Sequence, residues 1–175
     1  MLDANQSFDE SNLDILRRLD EFDIACIEEP YNPSFVPRNG DTNLFARLSD
    51  LQEHIKTPVC LDESVVTAQD MEEAMDFDNL KCYALKVAKF GGIQPTLDFY
   101  KWAREQGKVT WMGGMFDTGV SKRMHAAFAT LPGMDLPADV SDFTEYFEHD
   151  TALPPLQLQE GELVLNTVDH PAGLA

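Results

Sequence analysis

Three carboxylates stand at the C-terminal ends of short apolar runs: Asp3 in LDAN, Glu28 in CIEEP and Asp62 in CLDES. Alternate residues of a strand share a face, so Cys60 and Asp62 point one way while Val59 and Leu61 point the other. Carboxylates converging from neighbouring strands repel one another unless positive charge sits between them. An all-oxygen set of this kind suits one hard cation, Mg²⁺ or Mn²⁺. Each acid taken alone reads equally as a helix N-cap or a solvated loop group, whereas three in successive units read as a ligand set. In the run Tyr83-Ala-Leu-Lys-Val, Lys86 shares a face with Ala84, opposite Tyr83, Leu85 and Val87. A lysine beside a dication and partly desolvated has its charged form disfavoured, which suits general acid or base work. Its other reading is a strand-end lysine snorkelling to water.

Neighbouring residues extend the constellation. Asn5 shares a face with Asp3 and can orient that carboxylate, touch substrate or make an ordinary strand-end hydrogen bond. Glu29 and Glu63 face away from the proposed ligands by alternation, which gives them a supporting or solvent role. The pairs Gly91-Gly92 and Gly113-Gly114 mark tight turns or leave room for substrate against backbone, with Gly114 the candidate contact.

Positioning these groups requires strands ending where the acids sit. Apolar runs over Phe22–Ile27, Pro58–Leu61, Tyr83–Val87 and Val109–Met112 read as strands, with a partial one at Leu2–Asn5 and a weak one near Leu136–Val140. Amphipathic stretches over Asp9–Asp20, Thr42–Ile55, Ala68–Met75, Pro95–Glu105 and Gly119–Thr130 read as helices. Asp41 and Thr67 are placed as N-caps, and Gly107 and Gly133 as C-terminal stops. The alternation predicts an α/β chain of βα units on a parallel sheet. About six such units are expected, strands 3 to 8 of an eight-stranded TIM (β/α) barrel, with the first strands missing. Residues 1–152 form the barrel portion in this reading, and 153–175 a tail with hairpin-like strands around Glu160-Gly161. The segment Asn32–Asp41 is a loop after the second strand.

Composition removes other classes. A formal net charge of −18 with no offsetting run of Lys and Arg repels nucleic acid and anionic lipid. No apolar window approaches a membrane span and the first residues lack signal-peptide regions, so a cytoplasmic location is expected. Cys26, Cys60 and Cys82 are odd in number and lack C-x-x-C spacing, so they read as small buried thiols.

Taken together, the motifs DANQ at Asp3, IEEP at Ile27, LDES at Leu61, LKVAKFGGI at Leu85 and GGMFDTGVSKRMHAAFATLPG at Gly113 resemble the enolase superfamily. The resemblance covers essentially the whole chain. It is strongest to the muconate-lactonising branch and, within it, to o-succinylbenzoate synthases and N-acylamino acid racemases. It implies Asp3, Glu28 and Asp62 as ligands of one Mg²⁺ and Lys86 as the catalytic lysine of the sixth strand, the known pairing of a base with Mg²⁺ and an enediolate. The implied reaction is dehydration of a small carboxylate substrate in menaquinone biosynthesis by a carbon–oxygen lyase, with N-acylamino acid racemisation or another cycloisomerisation as the alternative. A non-catalytic metal-binding remnant whose open sheet edge pairs with another chain, in a homo-oligomer for instance, is the reading from another class. The family's E-T-G is Asp117-Thr118-Gly119 here, which makes Asp117 a candidate supporting or substrate-contacting residue. The branch's second catalytic lysine lies in a K-x-K motif on the strand before Asp3, and no K-x-K occurs in these 175 residues. A fragment lacking the N-terminal capping domain and inactive by itself is therefore expected.

Overall fold

Five short strands form, β1 Leu2–Asp3, β2 Ile27–Glu28, β3 Val59–Leu61, β4 Cys82–Leu85 and β5 Val109–Met112, in hydrogen-bonded order β1-β2-β3-β4-β5. They are seen in a computed structural model that describes residues 1–35, 43–142, 144, 146–164 and 173–174. Strands β1 to β4 pair in parallel, with Asp3 opposite Glu28, Glu28 opposite Cys60 and Cys60 opposite Cys82. Every residue of β3 and β4 is buried, as a parallel sheet covered on both faces requires. Helices α1 Leu13–Leu19, α2 Leu44–His54, α3 Ala68–Met75, α4 Ile93–Glu105 and α5 Gly119–Ala129 each follow a strand, giving the α/β class and the repeating unit of a (β/α) barrel. Among the described residues no helix is long and apolar enough to cross a membrane.

The chain divides into two compact units, Met1–Ala84 with Ala103–Val109, and Leu85–Trp102 with Thr110–Ala175. Leu16, Ile27, Leu48, Leu51, Val59, Leu61 and Leu80 are buried in the first; Leu85, Phe90, Phe99, Met112 and Leu156 are buried in the second, where Phe90 stacks on Phe99 at 5.1 Å. In the tail, β6 Ala152–Leu153 pairs with β9 Gly173–Leu174. Strands β7 Gln157–Gln159 and β8 Glu162–Val164 form the expected hairpin. Its two turn residues, Glu160 and Gly161, both have positive φ, the backbone that a two-residue hairpin turn demands.

Several expected boundaries move for local reasons. The run Phe22–Ile27 is not a strand throughout: Asp20–Phe22 closes a 3-10 turn, Asp23 adopts φ +51, and only Ile27 enters the sheet. Strand β4 ends at Leu85 instead of Val87, because the Lys86 carbonyl accepts from Lys89 N and Phe90 N and starts a turn. Leu136–Val140 forms no regular strand. Asp135 N and Asp139 N reach Thr110 O and Met112 O, but Pro137 removes a donor between them. Helix α4 begins at Ile93, with Pro95 in its first turn, where a missing N–H goes unused. Thr67 caps α3 as expected, with Asp70 completing the capping box. Asp41 lies outside the described residues, and Asn43 caps α2 by accepting from Ala46 N. Gly107 (φ +64) closes α4.

The chain after β2 is tied to α2 by Arg47. Its Nε donates to Glu10 Oε1 at 2.6 Å, Nη1 donates to Asn32 O at 3.2 Å, and the guanidinium lies 5.5 Å from the Tyr31 ring centroid and 5.9 Å from that of Phe35. Arg47→Ala strands these acceptors and removes buried packing, so it is expected to lower stability by about 2–4 kcal/mol in denaturant melts. Arg47→Lys, which cannot make the fork, should recover only part of that.

Candidate functional site

Strand register sets the first unit's rim. Asp3 and Glu28 are direct cross-strand partners, and Asp62 lies two residues beyond Cys60, the partner of Glu28. Asp62 is 2% exposed and Glu28 7%, whereas Asp3 is exposed. Asn5, at φ +44, donates its backbone N–H to Asp3 Oδ1 at 2.9 Å and its Nδ2 to Oδ2 at 2.6 Å. Glu63 is exposed.

Glu29 departs from simple alternation. With φ +39 it leaves the strand geometry in which successive side chains change face, and its carboxyl turns fully into the interior. There Oε2 accepts from Asp62 N at 2.8 Å, Ser64 N at 3.1 Å and Ser64 Oγ at 3.0 Å, while Oε1 has no hydrogen-bond partner. Burial pushes this carboxyl up to about 7 against the opposing effect of those hydrogen bonds. Glu29 thus fixes the backbone that carries Asp62. The sequence signal was the second acid of CIEEP, followed by Pro30.

The donor chemistry fits a hard divalent cation. Three carboxylates stand at the ends of adjacent parallel strands, two of them buried. Their oxygens do not all close to within 4.8 Å of one another, and both Asp3 oxygens are turned onto Asn5. Among the described residues, the side chains whose ligand atoms do close to that distance are Cys26, Cys60 and Cys82, all buried. Thiol hydrogen bonds from Cys60 and Cys82 hold Cys26 below the ordinary thiol value, and burial pushes Cys60 well above it. With separations of 34 and 22 residues, no local spacing announces this cluster.

Lys86, Gly114 and Asp117 belong to the second unit. Lys86 is partly exposed at the turn that ends β4. Gly114 makes room for Asp139: a Cβ there would fall 2.5 Å from the Asp139 carbonyl oxygen, so the glycine is required by packing. Asp117 Oδ2 lies 3.5 Å from Nδ1 of His125, a residue that the sequence reading did not single out. His125 is buried, and its Nε2 has no hydrogen-bond partner. Burial lowers its pKa, Asp117 opposes this, and Lys86 and Lys122 add to the lowering. Buried Lys122 donates to Ser141 Oγ and the Asp142 carbonyl.

Residues 1–173 match the family described as enolase C-terminal domain-like. The chain is 29% identical over 161 residues to an o-succinylbenzoate synthase of Bacillus subtilis, covering 92% of this chain and 41% of that protein. It is 33% identical over 159 residues to an N-succinylamino acid racemase of Thermus thermophilus, covering 91% and 41%. Among solved structures, a muconate cycloisomerase of Pseudomonas fluorescens superposes with a TM-score of 0.78 at 26% identity, covering 92% of this chain and 42% of that one. The chain therefore spans about two fifths of the relatives it matches.

Proposed function

This chain belongs to the enolase C-terminal domain-like family, and from that premise we propose that it serves a Mg²⁺-dependent enzyme that dehydrates a small carboxylate substrate to o-succinylbenzoate. The observation that carries the reading is the register of the rim: Asp3 opposite Glu28, and Asp62 two residues beyond the partner of Glu28, its backbone held by Glu29. Asp3, Glu28 and Asp62 would hold the ion, which when bound supplies positive charge against a substrate carboxylate as charge develops on it. Asn5 orients Asp3, and Glu29 fixes Asp62. Lys86, the catalytic lysine that the family resemblance implies, would act either as a cation over the developing π-system or as a group that moves the α-proton.

A second reading, racemisation of N-succinylamino acids, is favoured by the 33% identity to the Thermus thermophilus racemase. It would use Lys86 to add or remove the α-proton, whereas the synthase reading uses it mainly as a cation. Turnover separates the two. In protein that also carries the upstream K-x-K lysine, Mg²⁺-dependent formation of o-succinylbenzoate, followed by ultraviolet absorbance, is expected to fall by about 10²–10⁴-fold in Lys86→Ala while Mg²⁺ binding persists. Exchange of the α-proton of N-succinylamino acids in deuterated water, without dehydration, would select the racemase instead. Neither reaction, in protein that carries that lysine and binds Mg²⁺, would leave the non-catalytic metal-binding reading.

A further inference from the structure

Cys26 precedes β2, Cys60 is the middle residue of β3, and Cys82 opens β4 as the cross-strand partner of Cys60. All three have 0% relative exposure, and their Sγ atoms lie within 4.8 Å of one another. We propose that these thiols form a binding site for one soft divalent cation of the Zn²⁺ class, separate from the carboxylate rim.

Geometry allows it with little movement. Zn–S bonds of about 2.3 Å at tetrahedral angles place sulfurs about 3.8 Å apart, so even the widest pair permitted by the 4.8 Å limit closes by about 1 Å. Three thiolates leave the fourth coordination position without a cysteine ligand. Ligand hardness sorts the two sites, because thiolate sulfur selects soft ions and carboxylate oxygen selects Mg²⁺. Charge selects a divalent ion over a monovalent one. Binding joins Zn²⁺ to three thiolates as Zn(SR)₃⁻, each thiol that still holds a proton releasing it to solvent, with no change of oxidation state, and leaves one negative charge in a buried site near Glu28. Cu⁺ would leave two, at a greater desolvation cost. The chain topology assembles the trio from three neighbouring strand segments, which is why no C-x-x-C spacing is needed.

The test is to strip the purified chain of metal, saturate it with Mg²⁺, and add one equivalent of Zn²⁺ or Cd²⁺. The expected result is one Zn²⁺ per chain retained through gel filtration and a thiolate-to-Cd²⁺ charge-transfer band in the ultraviolet. Cys60→Ala and Cys82→Ala should each weaken binding at least about 100-fold while keeping the far-ultraviolet circular dichroism. Asp3→Asn combined with Asp62→Asn should keep the Cd²⁺ band. A folded wild-type chain without that band, or a band surviving both cysteine substitutions, would overturn the proposal. The wild-type spectrum decides even where a variant does not fold.

Discussion

Asp62→Asn is expected to weaken Mg²⁺ binding at least about 100-fold without unfolding the protein, and calorimetric titration measures it directly. Loss of a residue that merely supports a ligand costs 10–100-fold in metal affinity, so loss of a ligand itself sets the larger figure. The fold should survive because asparagine keeps the shape of a side chain that is 2% exposed, and the Asp62 backbone N–H still donates to Glu29. Without Mg²⁺ the substitution removes one of several neighbouring negative charges, so apo stability should hold or rise. The signature is in melts with and without the ion. At a free concentration of about 100 times its Kd, Mg²⁺ should stabilise the wild type by about 2.7 kcal/mol and Asp62→Asn by almost nothing. Asp98→Asn, an exposed acid on α4, serves as the control and should respond like the wild type. Wild-type melts that ignore Mg²⁺ would remove the metal from the proposed function.

The strand-end acids and the βα alternation were legible because both follow local rules. Runs such as VCL and CYAL are apolar on both faces, and Asp62 falls where the apolar run stops. What escaped the sequence is non-local or turns on a single backbone angle. Cys26, Cys60 and Cys82 meet only because three strands lie side by side in one register, and chain spacing carries no trace of it. Alternation left Glu29 with a supporting or solvent role and could not reveal the φ of +39 or the full burial that go with its bond to Asp62 N. His125 meets Asp117 across the first two turns of α5 and the loop before it, a pairing that composition does not reveal. The segment Leu136–Val140 had strand-like residues, yet Pro137 left it with two isolated bonds to the β5 backbone.

Glu29→Ala should be the most destabilising single change at the rim, by about 3–5 kcal/mol in denaturant melts. Three donors, Asp62 N, Ser64 N and Ser64 Oγ, lose their acceptor, at about 1–3 kcal/mol for each one that stays buried, and a cavity replaces a fully buried side chain. Glu29→Gln keeps an acceptor oxygen and should cost less, and its value lies in the pH profile. The folded-state pKa of Glu29, raised from 4.5 to about 7, means the native chain holds a proton that the unfolded chain has released across that interval. The contribution to stability is therefore complete below about pH 4.5 and is lost as pH rises through 7, a difference of roughly 3 kcal/mol. Many other acids in a chain of net charge −18 also titrate with pH, so the informative quantity is wild type minus Glu29→Gln. Without Mg²⁺ that difference should fall steadily from pH 4.5 to 8. With Mg²⁺ at the neighbouring carboxylates the ionised form is favoured, and the fall should move to lower pH. Parallel profiles for the two proteins would mean that Glu29 ionises freely, and that the hold on Asp62 does not depend on a buried protonated acid.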